Sequence, residues 1–166
     1  PQEESYFLIN EAQANSKEIT LTNIPTANYV SVTYGIGVDQ SKYPLNGMEN
    51  FIPQAEEQNM LWSWSAGYKF IKFEGSYNSS GANPDRNFII HMGSHGTNLD
   101  NYKEVTLPIN TSISENQTST INILANINAL FTGTTNYKFA DKDEIQVDPD
   151  FAPIIAANFV SLFSIN

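Results

Sequence analysis

The 166-residue sequence contains no cysteine, so disulfide bonds and thiolate metal sites are excluded. Basic residues are also scarce, because eight Lys and Arg stand against eighteen Asp and Glu and give a formal net charge of -10. Contacts to phosphate groups need a basic face, and this balance therefore disfavours a nucleic-acid-binding role. No apolar run approaches the length of about 18 residues that a membrane-spanning helix requires.

Aromatic and small polar residues are plentiful instead. Ten Phe and eight Tyr contribute to a hydrophobic fraction of 40%, and only 16% of the residues are charged, against about 25% in an average domain. Aromatic and β-branched runs separated by Asn, Ser and Thr suit half-buried β-strands. The length is that of one domain, and we expect residues 1–166 to form a single β domain.

Apolar and polar residues alternate over several short segments, which are separated by Gly, Pro and Asn. This period of two indicates half-buried strands, and their spacing is typical of a sandwich or a barrel. We predict an all-β antiparallel β-sandwich, immunoglobulin-like or barrel-like, with strands at 6–9, 18–24, 29–38, 67–74, 87–92, 103–109 and 119–127. The strand at 29–38 has an apolar face that we expect to be buried, formed by Val30, Val32, Tyr34 and Ile36.

Gly35 and Gly37 lie on the opposite face of that strand, where they leave no side-chain cover. Glycine inside a strand usually marks a bend or a close approach of another group. We therefore expect a backbone segment or an aromatic ring to pack against these two positions, or the strand to bend there.

In the C-terminal segment the spacing of apolar residues changes from that of a strand to that of a helix. Asp148 before Pro149 is typical of a helix N-cap followed by proline at the first helical position. Apolar residues at helical spacing follow, namely Phe151, Ile154, Ile155, Phe159 and Phe163. We predict one short amphipathic helix at about 149–162 that caps the sheet.

The sequence has two tryptophans, Trp62 and Trp64, and both fall in the stretch NMLWSWSAGYKFIKFEG. Side chains alternate along a strand, so the two indoles are expected on one face. Periodicity alone favours packing in the core or at its rim, and an exposed pair of this kind would suit stacking on sugar rings. Unmodified tryptophan is not an ordinary metal ligand, because its nitrogen lone pair belongs to the aromatic ring.

The two histidines, His91 and His95, occur in HMGSHG. Imidazole is the commonest protein metal ligand, but this spacing leaves a strand and crosses Gly93, so a helical ligand pair is disfavoured. A loop would still be able to bring both rings together. The alternative is that one histidine packs at the strand end while the other is exposed in a loop.

No motif in the sequence supports an enzyme. The acidic cluster DKDEIQVDPD lacks the spacing and glycine of an EF-hand calcium loop and is better interpreted as a solvated turn. Neither a Gly-rich phosphate loop nor a GxSxG or HExxH motif is present, and we expect a protein that is not an enzyme.

The order YGIGVDQ, then MLWSWSAGYKFIKFEG, then FIIHMGSHG resembles the MbnP family, and INILANINALFTG and IAANFVSLFSI fit the same pattern. The resemblance extends from about Tyr6 to the end of the chain. MbnP proteins are periplasmic copper-binding proteins, with relatives in methanotroph copper acquisition and, as lipoproteins or secreted proteins of the cell envelope, in Bacteroidetes.

The resemblance implies a β-sandwich-like domain with a mononuclear copper site. One tryptophan of that site is oxidised to kynurenine by a di-haem peroxidase-type partner similar to MauG, and the modified residue joins histidines at the metal. Opening the indole creates an arylamine and a ketone, so a residue that is not a ligand gains a nitrogen donor.

The residue correspondences leave Trp62 or Trp64 as the candidate kynurenine, with Trp62 favoured. His91 matches the H-x-G position of the family, whereas His95 matches no assigned ligand. Copper-binding relatives have a histidine two residues after the modified tryptophan, where this chain has Trp64. The candidate metal ligands are His91, which matches the motif, and His95, which is the other histidine of the sequence.

Relatives also have N-terminal strands that this sequence lacks. We therefore expect an open sheet edge, a strand-donating partner chain or second copy, and lipid anchoring through a missing N-terminal segment. The leading hypothesis is an extracytoplasmic copper-binding protein, periplasmic or at the cell surface. The alternative is a cell-surface binding or assembly module for glycans or proteins without a metal.

Overall fold

The computed structural model describes residues 5–42, 51–63, 66–81, 83–95 and 98–166. Trp64, one of the candidate site residues, lies outside the described residues. The strands are β1 Ala27–Ile36, β2 Leu61–Ser63, β3 Gly67–Tyr77, β4 Arg86–Gly93, β5 Lys103–Ile113, β6 Ile123–Ala125, β7 Glu144–Ile145 and β8 Phe163–Ile165. The helices are α1 Ile52–Glu57, α2 Ala129–Thr132 and α3 Ala152–Val160, and short 3-10 turns occupy Ala14–Lys17 and Gln40–Lys42.

The strands form three sheets in which antiparallel pairing dominates. β1 pairs with β5, β6 pairs with β8, and a four-stranded sheet has the order β2-β3-β4-β7, in which only the short β7 runs parallel to its neighbour β4. Across the described ranges the strands do not close into a barrel. The predicted all-β sandwich with a C-terminal helix is confirmed, and the barrel-like alternative is not.

The β1–β5 pair corrects one predicted face. The register shifts between Tyr29 and Ser31, and a shift of this kind moves side chains to the other face of a strand. Val32, Tyr34 and Ile36 are half-buried as predicted, but Val30 lies beyond the shift and is 76% exposed. The prediction that Val30 is buried is therefore wrong.

Aromatic rings pack against both glycines at the end of β1. A Cβ atom at Gly35 would lie 2.5 Å from the Tyr102 hydroxyl, and one at Gly37 would overlap the ring of Phe70. Gly37 also has a φ of 91°, a conformation that residues with a Cβ rarely adopt. The prediction that another group approaches these positions closely is confirmed.

Two predicted N-terminal strands are absent from the structure. Residues 6–9 and 18–24 form no strand, and Phe7, Ile9, Ile19 and Leu21 are exposed. Their alternation is that of a strand, but a strand also needs an adjacent segment to receive its backbone hydrogen bonds. The segment predicted at 119–127 is likewise reduced to the three residues of β6.

The predicted C-terminal helix is present but shorter, as α3. Asp148 caps the turn before it, because its Oδ1 accepts hydrogen bonds from the backbone N–H groups of Asp150 and Phe151 at 3.0 and 2.8 Å. The helix proper begins at Ala152 and ends at Val160. The short helices α1 and α2 were not predicted.

The main core lies between the β3–β4 hairpin and α3. Its central residues are fully buried and come from β4, β7 and α3, namely Ile90, Met92, Ile145 and Ile155. Because side chains alternate along β4, Phe88, Ile90 and Met92 face this core. Ile89, His91 and Gly93 consequently lie on the other face of the hairpin, which carries the candidate site.

A smaller core cluster lies at the end of the hairpin that contains Gly67. Val38, Ile52, Ala55 and Tyr68 are buried there, and Leu61 of β2 packs against them. This second cluster fixes β2 against the beginning of β3, and thereby determines where the next residue, Trp62, lies.

Candidate functional site

Trp62 lies over the end of β4. A Cβ atom at Gly93 would lie 2.7 Å from Cζ3 of the Trp62 indole and would also overlap the backbone carbonyl of Tyr68. The absence of a side chain at Gly93 is therefore what allows the indole to lie flat against the hairpin. The HMGSHG motif provides this glycine between the two histidines.

The ring of His95 contacts the ring of Trp62. Their centroids are 4.4 Å apart and the ring planes are inclined at 46°. His95 follows β4, and its backbone N–H donates a hydrogen bond to the carbonyl of Leu99 at 2.9 Å. The alternative that His95 is simply exposed in a loop is wrong, because its ring is half-buried against the indole.

Two nitrogen atoms at this contact are buried and unpaired. Nε1 of Trp62 and Nε2 of His95 have no hydrogen-bond partner among the described residues. Burial lowers the pKa of His95 below its ordinary value of 6.5, so at neutral pH the imidazole is uncharged and keeps a lone pair. Nε1 of an intact indole is a donor and has no lone pair to offer.

His91 has a different environment. Its Nε2 is 2.6 Å from Oε1 of Glu74, and the same carboxylate oxygen is 3.9 Å from Nζ of Lys72. This hydrogen bond from His91 is the main cause that lowers the pKa of Glu74. Lys72 is opposite His91 in the register, whereas Glu74 is its diagonal neighbour. Nε2 of His91 is therefore occupied by a carboxylate.

A buried hydrogen-bond network supports the segment that carries His95. The Nδ2 group of Asn101 donates to the carbonyl of Gly93 at 2.8 Å, and its backbone N–H donates to Oγ of Ser94 at 2.9 Å. Ser94 in turn donates to Oδ1 of Asp100 at 3.0 Å. Ser94 is 3% exposed and Asn101 is fully buried.

The sequence analysis missed this network. Ser94 lies inside the HMGSHG motif and was available as a signal, because serine side chains often form hydrogen bonds with nearby backbone groups. Asn101 had no signal, since it is one asparagine in a polar turn and its burial follows only from the fold.

The structure brings some of the candidate residues together and not others. Trp62 and His95 are in contact, whereas His91 binds Glu74 on the same face of the hairpin. Within the described ranges there is no group of three or more His, Asp or Glu side chains that would hold a metal ion by themselves. Among the described candidate residues, Nε2 of His95 has no hydrogen-bond partner, whereas Nε2 of His91 is occupied by Glu74.

A separate cleft of about 510 Å³ lies at the opposite end of the β3–β4 hairpin. Aromatic rings and two basic side chains line it, namely Tyr77, Phe131, Tyr137, Phe139, Arg86 and Lys138. Arg86 is paired with Asp143 at 3.0 Å, and the Tyr77 hydroxyl donates to the same carboxylate at 3.0 Å. The cleft is largely open to solvent, unlike an enclosed small-molecule pocket.

Comparison with known proteins gives one match. A protein-family model described as MbnP matches residues 1–148, which includes every candidate site residue and ends just before α3. No curated protein and no solved structure matches the chain. The helices in the described part of the chain are all too short or too polar to cross a membrane.

Proposed function

The chain belongs to the MbnP family, and on that premise we propose that it is an extracytoplasmic copper-binding protein, without catalytic activity, whose metal site lies at Trp62 and His95. The family is associated with copper, and the match covers the tryptophan block and both histidines. The role we propose is metal acquisition or handling at the periplasmic or outer surface of the cell.

The contact between Trp62 and His95 carries the proposal. Buried polar atoms are nearly always hydrogen-bonded, and each unpaired one costs about 1–3 kcal/mol. Two buried nitrogens on rings in contact, both without a hydrogen-bond partner among the described residues, are therefore unusual unless a further group binds them. Nitrogen donors of this type suit copper better than calcium or magnesium.

An intact Trp62 does not fit a metal site, whereas its oxidised form does. Two equivalents of peroxide insert two oxygen atoms across the C2–C3 bond of the indole and leave as two waters, giving N-formylkynurenine. Hydrolysis then releases the formyl group as formate and leaves an arylamine at the former Nε1. This amine would be carried by the ring that contacts His95, whose Nε2 has no hydrogen-bond partner among the described residues.

His91 would be the third nitrogen of this donor set. It lies two residues before Gly93 on the same face of β4, and its Nε2 would have to leave Glu74 to bind a metal. Glu74, at 2.6 Å, would therefore compete with the metal for this nitrogen.

Two partners belong to the proposal. A di-haem peroxidase-type enzyme similar to MauG would carry out the oxidation, because the chain has no oxidising group of its own. A strand-donating partner chain, or an N-terminal segment that also provides a lipid anchor, would pair with residues 18–24, whose alternating sequence forms no strand and whose Ile19 and Leu21 are exposed.

Intact mass and metal content of protein purified from its native source test the proposal. We expect one tryptophan, Trp62, to show the mass change for replacing one carbon by one oxygen, and about one copper per chain. Protein made in a host without the di-haem enzyme is the control and should retain both tryptophans unmodified. Native protein with intact Trp62 and no copper would refute the proposal.

The second candidate function is a binding module without a metal, and the aromatic cleft favours it. Tyr77, Phe131 and Phe139 present ring surface beside the polar side chains Asn78 and Ser79, a combination that suits sugar rings. Glycan-array binding that is lost in Phe139→Ala but kept in Trp62→Phe would favour this alternative.

A further inference from the structure

Asn101 differs from Asn158, the other fully buried asparagine among the described residues. Asn158 is completely hydrogen-bonded, because its Nδ2 donates to the carbonyls of Leu130 and Thr135 and its Oδ1 accepts from the Thr135 N–H. Asn101 uses its Nδ2 and its backbone N–H, but its buried Oδ1 has no hydrogen-bond partner among the described residues. A buried acceptor of this kind calls for an explanation.

The hydrogen bonds of Asn101 reach the residue on which Trp62 lies. Its carboxamide donates to the carbonyl of Gly93, and the Trp62 indole covers the Cα of the same glycine. Its N–H binds the side chain of Ser94, the residue between Gly93 and His95. Asn101 thus fixes the two residues that determine how His95 meets Trp62.

We propose that Asn101 is the positioning residue of the Trp62–His95 site. It holds the Gly93–Ser94 backbone so that the two rings stay in contact. This inference rests on the proposed copper site for its ligand, but its positioning role concerns the metal-free chain as well.

The ring current of Trp62 gives a readout that needs no metal. The ring centroids of Trp62 and His95 are 4.4 Å apart, so the NMR chemical shifts of the His95 ring protons are sensitive to this contact. Asn101→Ala removes both side-chain groups, and Asn101→Asp keeps the size but places an acceptor against the carbonyl of Gly93. Asn158→Ala and Asn158→Asp are matched controls, because Asn158 is equally buried in the other part of the core.

We expect both Asn101 variants to move the His95 ring shifts toward those of an exposed histidine. In oxidised protein they should also weaken copper binding by about 10- to 100-fold, the usual effect of losing a residue that orients a metal ligand. The Asn158 variants should lower thermal stability but leave the shifts and the copper affinity at wild-type values.

The outcomes separate the two proposals. A wild-type protein that binds no copper in its oxidised form refutes the copper site, while the His95 shifts of the metal-free variants still test Asn101. Wild-type shifts in both Asn101 variants, or equal changes in the Asn158 variants, would overturn the positioning role.

Discussion

The indole of Trp62 and the imidazole of His95 form one contact pair, 4.4 Å apart between ring centroids and inclined at 46°. The pair exists because Gly93 has no side chain and β2 folds back on β3. It places His95, whose Nε2 has no hydrogen-bond partner within the described ranges, against the residue that the proposed oxidation would turn into a donor. His91, which matches the family motif, is instead hydrogen-bonded to Glu74.

The two histidines should therefore contribute unequally to copper binding. We expect His95→Ala to lower the copper affinity of the oxidised protein by more than about 100-fold. Loss of a residue that only orients a metal ligand usually costs no more than that. His91→Ala is the matched comparison and should have a smaller effect, because its nitrogen must first leave Glu74. Isothermal titration calorimetry measures both copper affinities. Wild-type affinity in His95→Ala would contradict the assignment of His95 as a copper ligand.

Gly93 should not tolerate a side chain. In Gly93→Ala the new methyl group would meet Cζ3 of Trp62 and the carbonyl of Tyr68, so the indole must move. Overpacking of this kind costs about 1–3 kcal/mol, and the His95 contact should be lost with it. Urea unfolding measures the change in the free energy of unfolding.

Gly81→Ala is the control for this substitution, because a Cβ atom there meets nothing within 4 Å. Its effect should stay within about 0.5 kcal/mol. Equal destabilisation by the two alanine substitutions would show that the Trp62 indole does not depend on the glycine.

The hydrogen bond between His91 and Glu74 should make stability depend on pH in the acid range. The pKa of Glu74 is lowered in the folded protein, so its contribution is complete above the unfolded value of about 4.3 and is lost as pH falls through the folded value. Wild type should exceed Glu74→Gln in stability at neutral pH, and this difference should shrink below about pH 4.3.

Denaturant unfolding at several pH values measures this difference. Glu115→Gln, at an exposed position in the turn after β5, serves as the control. A stability difference between wild type and Glu74→Gln that grows as pH falls below about 4.3 would contradict the role given to this carboxylate.

α3 should be required for the stability of the fold although the family match ends before it. Ile155 is fully buried between α3 and the sheet, and Ile155→Ala should cost about 2–5 kcal/mol. Ile127→Ala removes the same atoms at a position that is 46% exposed, and its effect should be much smaller. Thermal unfolding compares the stability of the two variants. Equal losses of stability would place Ile155 outside the core.

Local pattern was sufficient for the parts of the fold that depend on neighbours in sequence. Alternating residues located the strands β1, β3, β4 and β5, and Gly35 and Gly37 indicated the ring contacts with Tyr102 and Phe70. The Asp148 cap indicated the start of the C-terminal helix. These features follow from the residue period and from backbone geometry, which a sequence displays directly.

Strand partners were beyond the reach of local pattern. Residues 18–24 alternate as well as any strand of the fold, but in the structure they form none, because a ladder needs a second chain segment in register. Val30 is exposed because the register shifts at Tyr29 and Ser31, a property of the β1–β5 pair and not of either strand.

The sequence by itself determined the candidates, namely two tryptophans and two histidines in motifs that resemble the MbnP family. Only the tertiary structure decided their partners. The β3–β4 register brings Glu74 to His91, and the fold of β2 over Gly93 brings Trp62 to His95. Both contacts join residues from different strands, so they depend on long-range pairing, whereas the composition and period of a sequence report only on its local structure.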